Sequence, residues 1–224
     1  MIPLEQVDTA AIPGGGELRL MRRGQDFSIL FGRNELMNSR LRGSEEALAT
    51  LACDRLGGIA RPHMLIGGLG MGFTLRAAMA VLPKDARIVV AELVPKIVTW
   101  AKGELAHLHG DSLSDPRVAV EICDVQDLIA LPSAPYDAIL LDVDNGPDGL
   151  IYEGNDRLYG GQGLRAVKAA LRPGGVLAIW SAYQDKPFAE RLRTAGFEVD
   201  EVKVRATGGR KGAHHVIWLA VKRS

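Results

Sequence analysis

The stretch Met64-Leu65-Ile66-Gly67-Gly68-Leu69-Gly70-Met71-Gly72-Phe73-Thr74-Leu75-Arg76 decides how this chain is read. A short apolar run breaks into a glycine turn and then into a helical pattern. A second apolar run, Arg87-Ile88-Val89-Val90-Ala91, follows and is closed by Glu92. Strand, glycine turn, helix, strand and terminal acid form the nucleotide-binding half of an open α/β fold. The glycines let backbone approach a ligand closely, and the carboxylate can accept both hydroxyls of a ribose.

Outward from that stretch, strand patterns at 63–68, 87–92, 117–122, 136–142 and 174–180 alternate with helical patterns at 72–82, 94–108, 125–129, 160–171 and 185–195. Near-continuous apolar strands between helices predict a parallel sheet buried on both faces. Phe197–Arg205 and His215–Lys222 follow without a helix between them, which predicts an antiparallel hairpin closing the sheet. Upstream, Ser44-Glu45-Glu46 opens a helix with Ser44 as N-cap, and Gly57-Gly58 stops it. Glu17–Met21 and Phe27–Phe31 read as a β-hairpin, Gly32-Arg33-Asn34-Glu35 as a turn, and 1–16 as a loose arm. The expected organisation is an N-terminal arm and hairpin region over 1–43 and an α/β domain over 44–224.

At 224 residues the chain suits one α/β domain with a small appendage. Its 27 basic and 27 acidic residues cancel, which argues against a general nucleic-acid footprint. No apolar run reaches the roughly 18 residues that span a bilayer, so no membrane partner is expected. The opening Met1-Ile2-Pro3-Leu4-Glu5 lacks signal-peptide features, and Cys53 and Cys123 sit in apolar patterns as buried small hydrophobes. A cytoplasmic location is expected. His63, His107, His109, His214 and His215 make no zinc spacing, so no metal is expected.

The glycine spacing is Gly68-x-Gly70-x-Gly72, with Phe73 where a dinucleotide fold wants a small residue, and no Gly-Lys-Ser/Thr follows. Turn, Glu92 and terminal hairpin together resemble the class I S-adenosylmethionine (SAM)-dependent methyltransferase fold, a Rossmann-like α/β architecture. That resemblance implies a nucleoside site from Gly68, Leu69, Gly70, Met71 and Gly72, with Glu92 and Leu93 after the second strand. Asp124 and Val125 follow the third strand, where the fold places an adenine-side acid; Asp124 is equally an N-cap, and the two roles are compatible. Asp142 ends the next strand at the sheet's ligand-binding edge.

From about residue 17 to 183 the chain resembles the spermidine synthase (aminopropyltransferase) family. Gly68-Leu69-Gly70-Met71-Gly72-Phe73-Thr74-Leu75-Arg76 is similar to its G-G-G-D-G-G-T-L-R turn. Ser114-Asp115-Pro116-Arg117-Val118 resembles its D-P-R-V, and Tyr136-Asp137-Ala138-Ile139-Leu140-Leu141-Asp142 its Y-D-x-I-x-x-D. Leu158-Tyr159 is similar to its L-Y, and Leu171-Arg172-Pro173-Gly174-Gly175 to its L-K-P-G-G. Three departures stand out. Met71 replaces the family's loop acid, which faces the aminopropyl amine. Ser44-Glu45-Glu46 replaces Y-H-E, and Asp142-Val143-Asp144-Asn145-Gly146-Pro147 replaces D-S-T-D-P.

Loss of acids, with Arg40 and Arg42 near the cleft and Arg210-Lys211-Gly212-Ala213-His214-His215 in the last hairpin, favours an anionic or zwitterionic acceptor if these segments face the cleft; otherwise they are solvated turns. The expectation is therefore a SAM-dependent methyltransferase on a spermidine synthase-like scaffold, acting on a small molecule. The alternatives are an aminopropyltransferase using decarboxylated SAM and a polyamine, or a non-catalytic nucleoside-binding protein. Asp142 is the expected proton acceptor. Asp144 is a weaker candidate or a turn-forming acid. Arg40, Arg42, Glu46, Tyr159, Trp180 and His214 are the candidate acceptor pocket, with Tyr159 equally a core residue. The family resemblance also implies a homodimer.

Overall fold

The structure, a computed structural model, describes residues 2–143, 154–209 and 212–223, the side chains of 154–156 excepted. The chain starts with an antiparallel meander rather than one hairpin. β1 (Glu5–Ala11), β2 (Glu17–Arg23), β3 (Asp26–Phe31) and β4 (Asn34–Asn38) form a four-stranded sheet in chain order. The expected loose arm is thus strand β1, and the expected turn at Asn34-Glu35 begins strand β4. Neither strand has the apolar alternation that announces itself in sequence. β1 is held by its pairing to β2, from Glu5 opposite Arg22 to Ala11 opposite Glu17. The Pro13–Gly16 run is the turn between them: Gly15 N–H donates to the Ile12 carbonyl at 3.0 Å, and Gly14, Gly15 and Gly16 all have positive φ. Tertiary pairing overrides weak local propensity here.

α1 (Gly43–Leu56) ends at Gly57 in the left-handed region, φ 62°. Its start differs from expectation. Arg42 holds the N-cap position without a side-chain cap, and Gly43 N–H donates to the Ala206 carbonyl at 2.8 Å instead. A Cβ on Gly43 would lie 2.0 Å from Gly208 N, so only glycine lets the helix dock against the turn of the last hairpin.

Then come β5 (His63–Gly67), α2 (Phe73–Val81), β6 (Arg87–Glu92), α3 (Pro95–Lys102), α4 (Ala106–His109), β7 (Val118–Ile122), α5 (Val125–Ala130) and β8 (Tyr136–Leu141). α6 (Gly154–Tyr159), α7 (Gly161–Ala170), β9 (Leu171–Ser181), α8 (Lys186–Thr194), β10 (Phe197–Arg205) and β11 (His214–Lys222) complete the chain. The helix expected over 94–108 breaks at Gly103, whose N–H closes α3 on the Thr99 and Trp100 carbonyls. Glycine is a poor helix former, and the break starts α4.

The seven strands β5–β11 lie in the order β10-β11-β9-β8-β5-β6-β7. β10 runs antiparallel to β11, and β11 antiparallel to β9; the other pairings are parallel. Every residue of β5 and β8 is buried, as their continuous apolar runs require. Met64, Ile66, Ala138 and Leu140 face one core with α1, α2, α3 and the N-terminal sheet. Leu65, Ile139 and Leu141 face the other with α5, α7 and α8. The chain builds outward from β5 to β7 and then returns to β8 on the other side of β5. That reversal opens a crevice at the strands' carboxyl ends.

The N-terminal sheet is clasped to this body by Asp8, whose Oδ2 accepts from Trp100 Nε1 at 2.8 Å and from Lys96 Nζ at 2.9 Å. These bonds hold its carboxyl well below the usual range, at about 2. Trp100 is fully buried. Trp100→Ala is expected to cost about 3–5 kcal/mol in urea unfolding. Trp100→Phe keeps most of the packing and loses the indole donor, so its cost should be near 1–3 kcal/mol.

Candidate functional site

The glycine turn is shaped by what it must pass. Gly68, Gly70 and Gly72 all have positive φ, at 90°, 48° and 79°. A Cβ on Gly68 would lie 2.5 Å from the Asp142 carbonyl oxygen, and one on Gly72 would lie 2.4 Å from His109 Nδ1. His109 is thus packed beneath the turn, and burial lowers its imidazole to about 4, so it is neutral there. Glu92 does more than end a strand. Its Oε2 accepts from Leu69 N–H and its Oε1 from Val94 N–H, both at 2.9 Å. Burial raises its carboxyl while these N–H bonds oppose the rise.

In front of the turn lies a cleft. Its floor is Gly68 to Gly72 with Leu69 and Met71, then Glu92 and Leu93, Asp124 and Val125, and Asp142. The N-terminal sheet roofs it with Ile12, Leu18, Ile29, Leu36 and Met37, and Glu45 and Trp180 close one end. Every charged side chain lining it among the described residues is a carboxylate: Glu45, Glu92, Asp124 and Asp142. Asp124 lines the cleft, and its Oδ1 caps α5 through Gln126 N–H at 2.9 Å.

An outer cavity continues the cleft past Leu36, Met37, Glu45 and Trp180 towards Glu35, Asp185 and His215. Glu45 is the one charged residue shared by both spaces among those described. Burial raises its carboxyl first, and the charge of Asp142 raises it further. Asp142 is also raised by burial, offset in part by Thr74 Oγ1, which donates to its Oδ2 at 2.5 Å. Two half-buried carboxylates facing one cleft leave a deficit of positive charge.

Several expected acceptor-pocket residues lie elsewhere. Arg40 and Arg42 are exposed and line neither space. Asn38 Oδ1 accepts from both Arg40 and Leu41 N–H and turns this segment outward, and Arg42 pairs with Glu46 at 3.3 Å. Glu46 therefore faces its own arginine, while Glu45, passed over in the sequence, faces the cleft. The signal was present: Glu45 shares a helix face with the buried Leu48, Ala49, Ala52 and Leu56. Tyr159 is core, edge-on to Phe188 at 5.6 Å. His214 points to solvent, and strand alternation brings His215 to the outer cavity instead. Trp180 lines both spaces. Asp144, Arg210 and Lys211 lie outside the described residues.

No protein-family model matches the chain. Among curated proteins it is 29% identical over 168 residues to the polyamine aminopropyltransferase of Mycobacterium tuberculosis, covering 73% of this chain and 30% of that protein. It is 31% identical over 137 residues to the polyamine aminopropyltransferase of Nitrosomonas europaea, covering 60% and 40%. The chain thus spans about a third of the length of the first of these relatives. Of solved structures, the spermidine synthase from Thermotoga maritima aligns with 99% of this chain and 82% of its own at TM-score 0.75 and 14% identity. A spermidine synthase in complex with the transition-state analogue AdoDATO aligns with 99% of this chain and 74% of its own, also at TM-score 0.75, with 16% identity.

The fold is spermidine synthase-like, and the chain's homologues are polyamine aminopropyltransferases. Methyl transfer, expected from Met71 and the basic segments, is corrected by these relatives. Of the described side chains in the segments credited with an anionic acceptor, Arg40, Arg42 and His214 line neither space, and His215 lines the outer cavity but not the cleft.

The raised carboxyl of Glu45 has a signed consequence for stability. A group raised on folding contributes stability in full below its ordinary range, and that contribution is lost as pH rises through the raised value. Glu45→Gln should therefore raise Tm at mildly alkaline pH and leave it nearly unchanged at acidic pH. Thermal unfolding across that range checks it, and an equal shift at both ends would contradict the assignment.

Proposed function

We propose that the protein transfers an aminopropyl group from decarboxylated S-adenosylmethionine to a polyamine. The carrying observation is the all-carboxylate lining of the cleft, centred on Glu45 and Asp142. The polyamine aminopropyltransferase relatives support the same reading. Both proposed substrates bring cations: the donor a sulfonium and an ammonium, the acceptor two or more ammonium groups. Each offsets the cost of holding carboxylates out of water. SAM itself would add an α-carboxylate to a cleft already rich in them, which favours its decarboxylated form. Met71 leaves the glycine turn without an acid, and Glu45 on α1 supplies a carboxylate to the same cleft.

The chain's own groups align and deprotonate. In this reading the glycine turn and Glu92 seat the nucleoside, and Asp124 accepts from the adenine amino group. Asp142, held by Thr74, takes a proton from the attacking ammonium. The freed lone pair forms a C–N bond to the methylene next to sulfur, and the C–S electron pair goes to sulfur. Methylthioadenosine and a longer polyamine result. Leu36, Met37 and Trp180 keep water from the reacting atoms.

Incubation with decarboxylated SAM and a panel of di- and triamines should release methylthioadenosine together with an elongated polyamine. Failure to form either product across the panel would sink the reading. Asp142→Asn should retain methylthioadenosine binding by calorimetry while kcat falls about 10²–10⁴-fold. Gly68→Ala should lose that binding, since its Cβ would meet the Asp142 carbonyl.

A further inference from the structure

We infer that Ser44 and His215 form a proton path from the Glu45–Asp142 pair to the outer cavity, and this rests on the aminopropyl reading. Aminopropyl transfer releases one proton. A sulfonium and a primary ammonium become a thioether and a secondary ammonium, so one unit of positive charge must leave as H⁺. Asp142 receives that proton in the inner cleft, under the roof of the N-terminal sheet. Among the described charged residues, Glu45 reaches both spaces.

From Glu45 outward the groups are in line. Ser44 Oγ lies 3.1 Å from Glu45 Oε2, and His215 Nδ1 lies 2.9 Å from Ser44 Oγ. Ser44 is 1% exposed, and its hydroxyl makes these contacts instead of capping α1. The docking of Gly43 against Gly208 brings the start of α1 to the last hairpin, and with it Ser44 to His215. His215 is half-buried, edge-on to Trp180 at 4.8 Å, and lines the outer cavity. Burial lowers its imidazole, so the ring is neutral and able to accept near neutral pH. Glu46 beside Glu45 on α1, and Asp142 across from it on the β8 side, are the charged groups acting on Glu45.

The step balances: the proton crosses the cleft that Asp142 and Glu45 both line, and from Glu45 outward it hops along existing contacts. With the cationic substrates seated, their charge offsets the burial that raises Glu45 and leaves it ionised. It takes the proton from Asp142 and donates it to Ser44 Oγ, as the Ser44 hydrogen passes to His215 Nδ1. The imidazolium then releases its Nε2 proton to water in the outer cavity. This leaves the polarity His215 Nδ1–H to Ser44 Oγ–H to an ionised Glu45, and exchange at the ring restores the starting tautomer. No oxidant or co-reactant is needed.

Steady-state turnover of the full chain with decarboxylated SAM and a polyamine tests the path. Ser44→Ala and His215→Ala should each lower kcat about tenfold or more with KM little changed. Added imidazole should restore much of the His215→Ala rate and none of the Ser44→Ala rate. In a readout that needs no turnover, the ¹⁵N titration of the His215 ring should shift in Glu45→Gln and lose that response when Ser44→Ala is added. An active wild type with an unaffected or imidazole-insensitive His215→Ala overturns the path alone. An unmoved His215 titration in Glu45→Gln overturns it whatever the rates. An inactive wild type overturns the aminopropyl reading and the path with it.

Discussion

The carboxyl edge of the sheet depends on Gly68 having no side chain. Gly68 N–H donates to the Ala91 carbonyl at 2.8 Å, and Asp142 N–H donates to the Gly67 carbonyl at 3.0 Å. Those two bonds join the ends of β5, β6 and β8 at the topological reversal. A single methyl at Gly68 would press on the Asp142 carbonyl at 2.5 Å and separate them. Because Asp142 follows directly, the constraint that builds the nucleoside turn also fixes the carboxylate beside it. Glu92 ties the turn from the other side through Leu69 N–H. The cleft floor and the sheet edge are thus held by one set of contacts, and Glu92 has a structural role alongside its place in the cleft lining.

Around that edge the electrostatics point one way. Carboxylates in a half-enclosed cleft face desolvation and mutual repulsion, and both push their protons on. Thr74 offsets part of this at Asp142, and Ser44 part of it at Glu45. Neither bond removes the deficit of positive charge. A cation entering the cleft does. That preference runs against an anionic acceptor.

Much of the parallel sheet was legible because its strands are buried on both faces and carry unbroken apolar runs. The N-terminal sheet was half legible. β2 and β3 hold their own apolar residues, whereas β1 and β4 exist by pairing with them, which local sequence does not encode. The helix break at Gly103 and the diverted Ser44 are decided by contacts with distant segments, the second by the Ala206–Gly208 turn. The cleft residues Gly68, Glu92, Asp124 and Asp142 were legible because each sits at or just past a strand end, where the fold resemblance also points.

Met71 takes an acid away from one loop position, but a role need not stay on its own element. A cleft sums charge from every wall, and Glu45 enters it from a helix that precedes the turn. The one-residue difference between Glu45 and Glu46 rotates a carboxylate by about 100° around α1, from the cleft to Arg42. The same sensitivity separates His215 from His214 across a strand. Where function depends on which of two adjacent identical side chains faces inward, the deciding information lies in what the neighbouring elements bury. Here that is the face of Leu48, Ala49 and Ala52 on α1, and the register of β11 against β9.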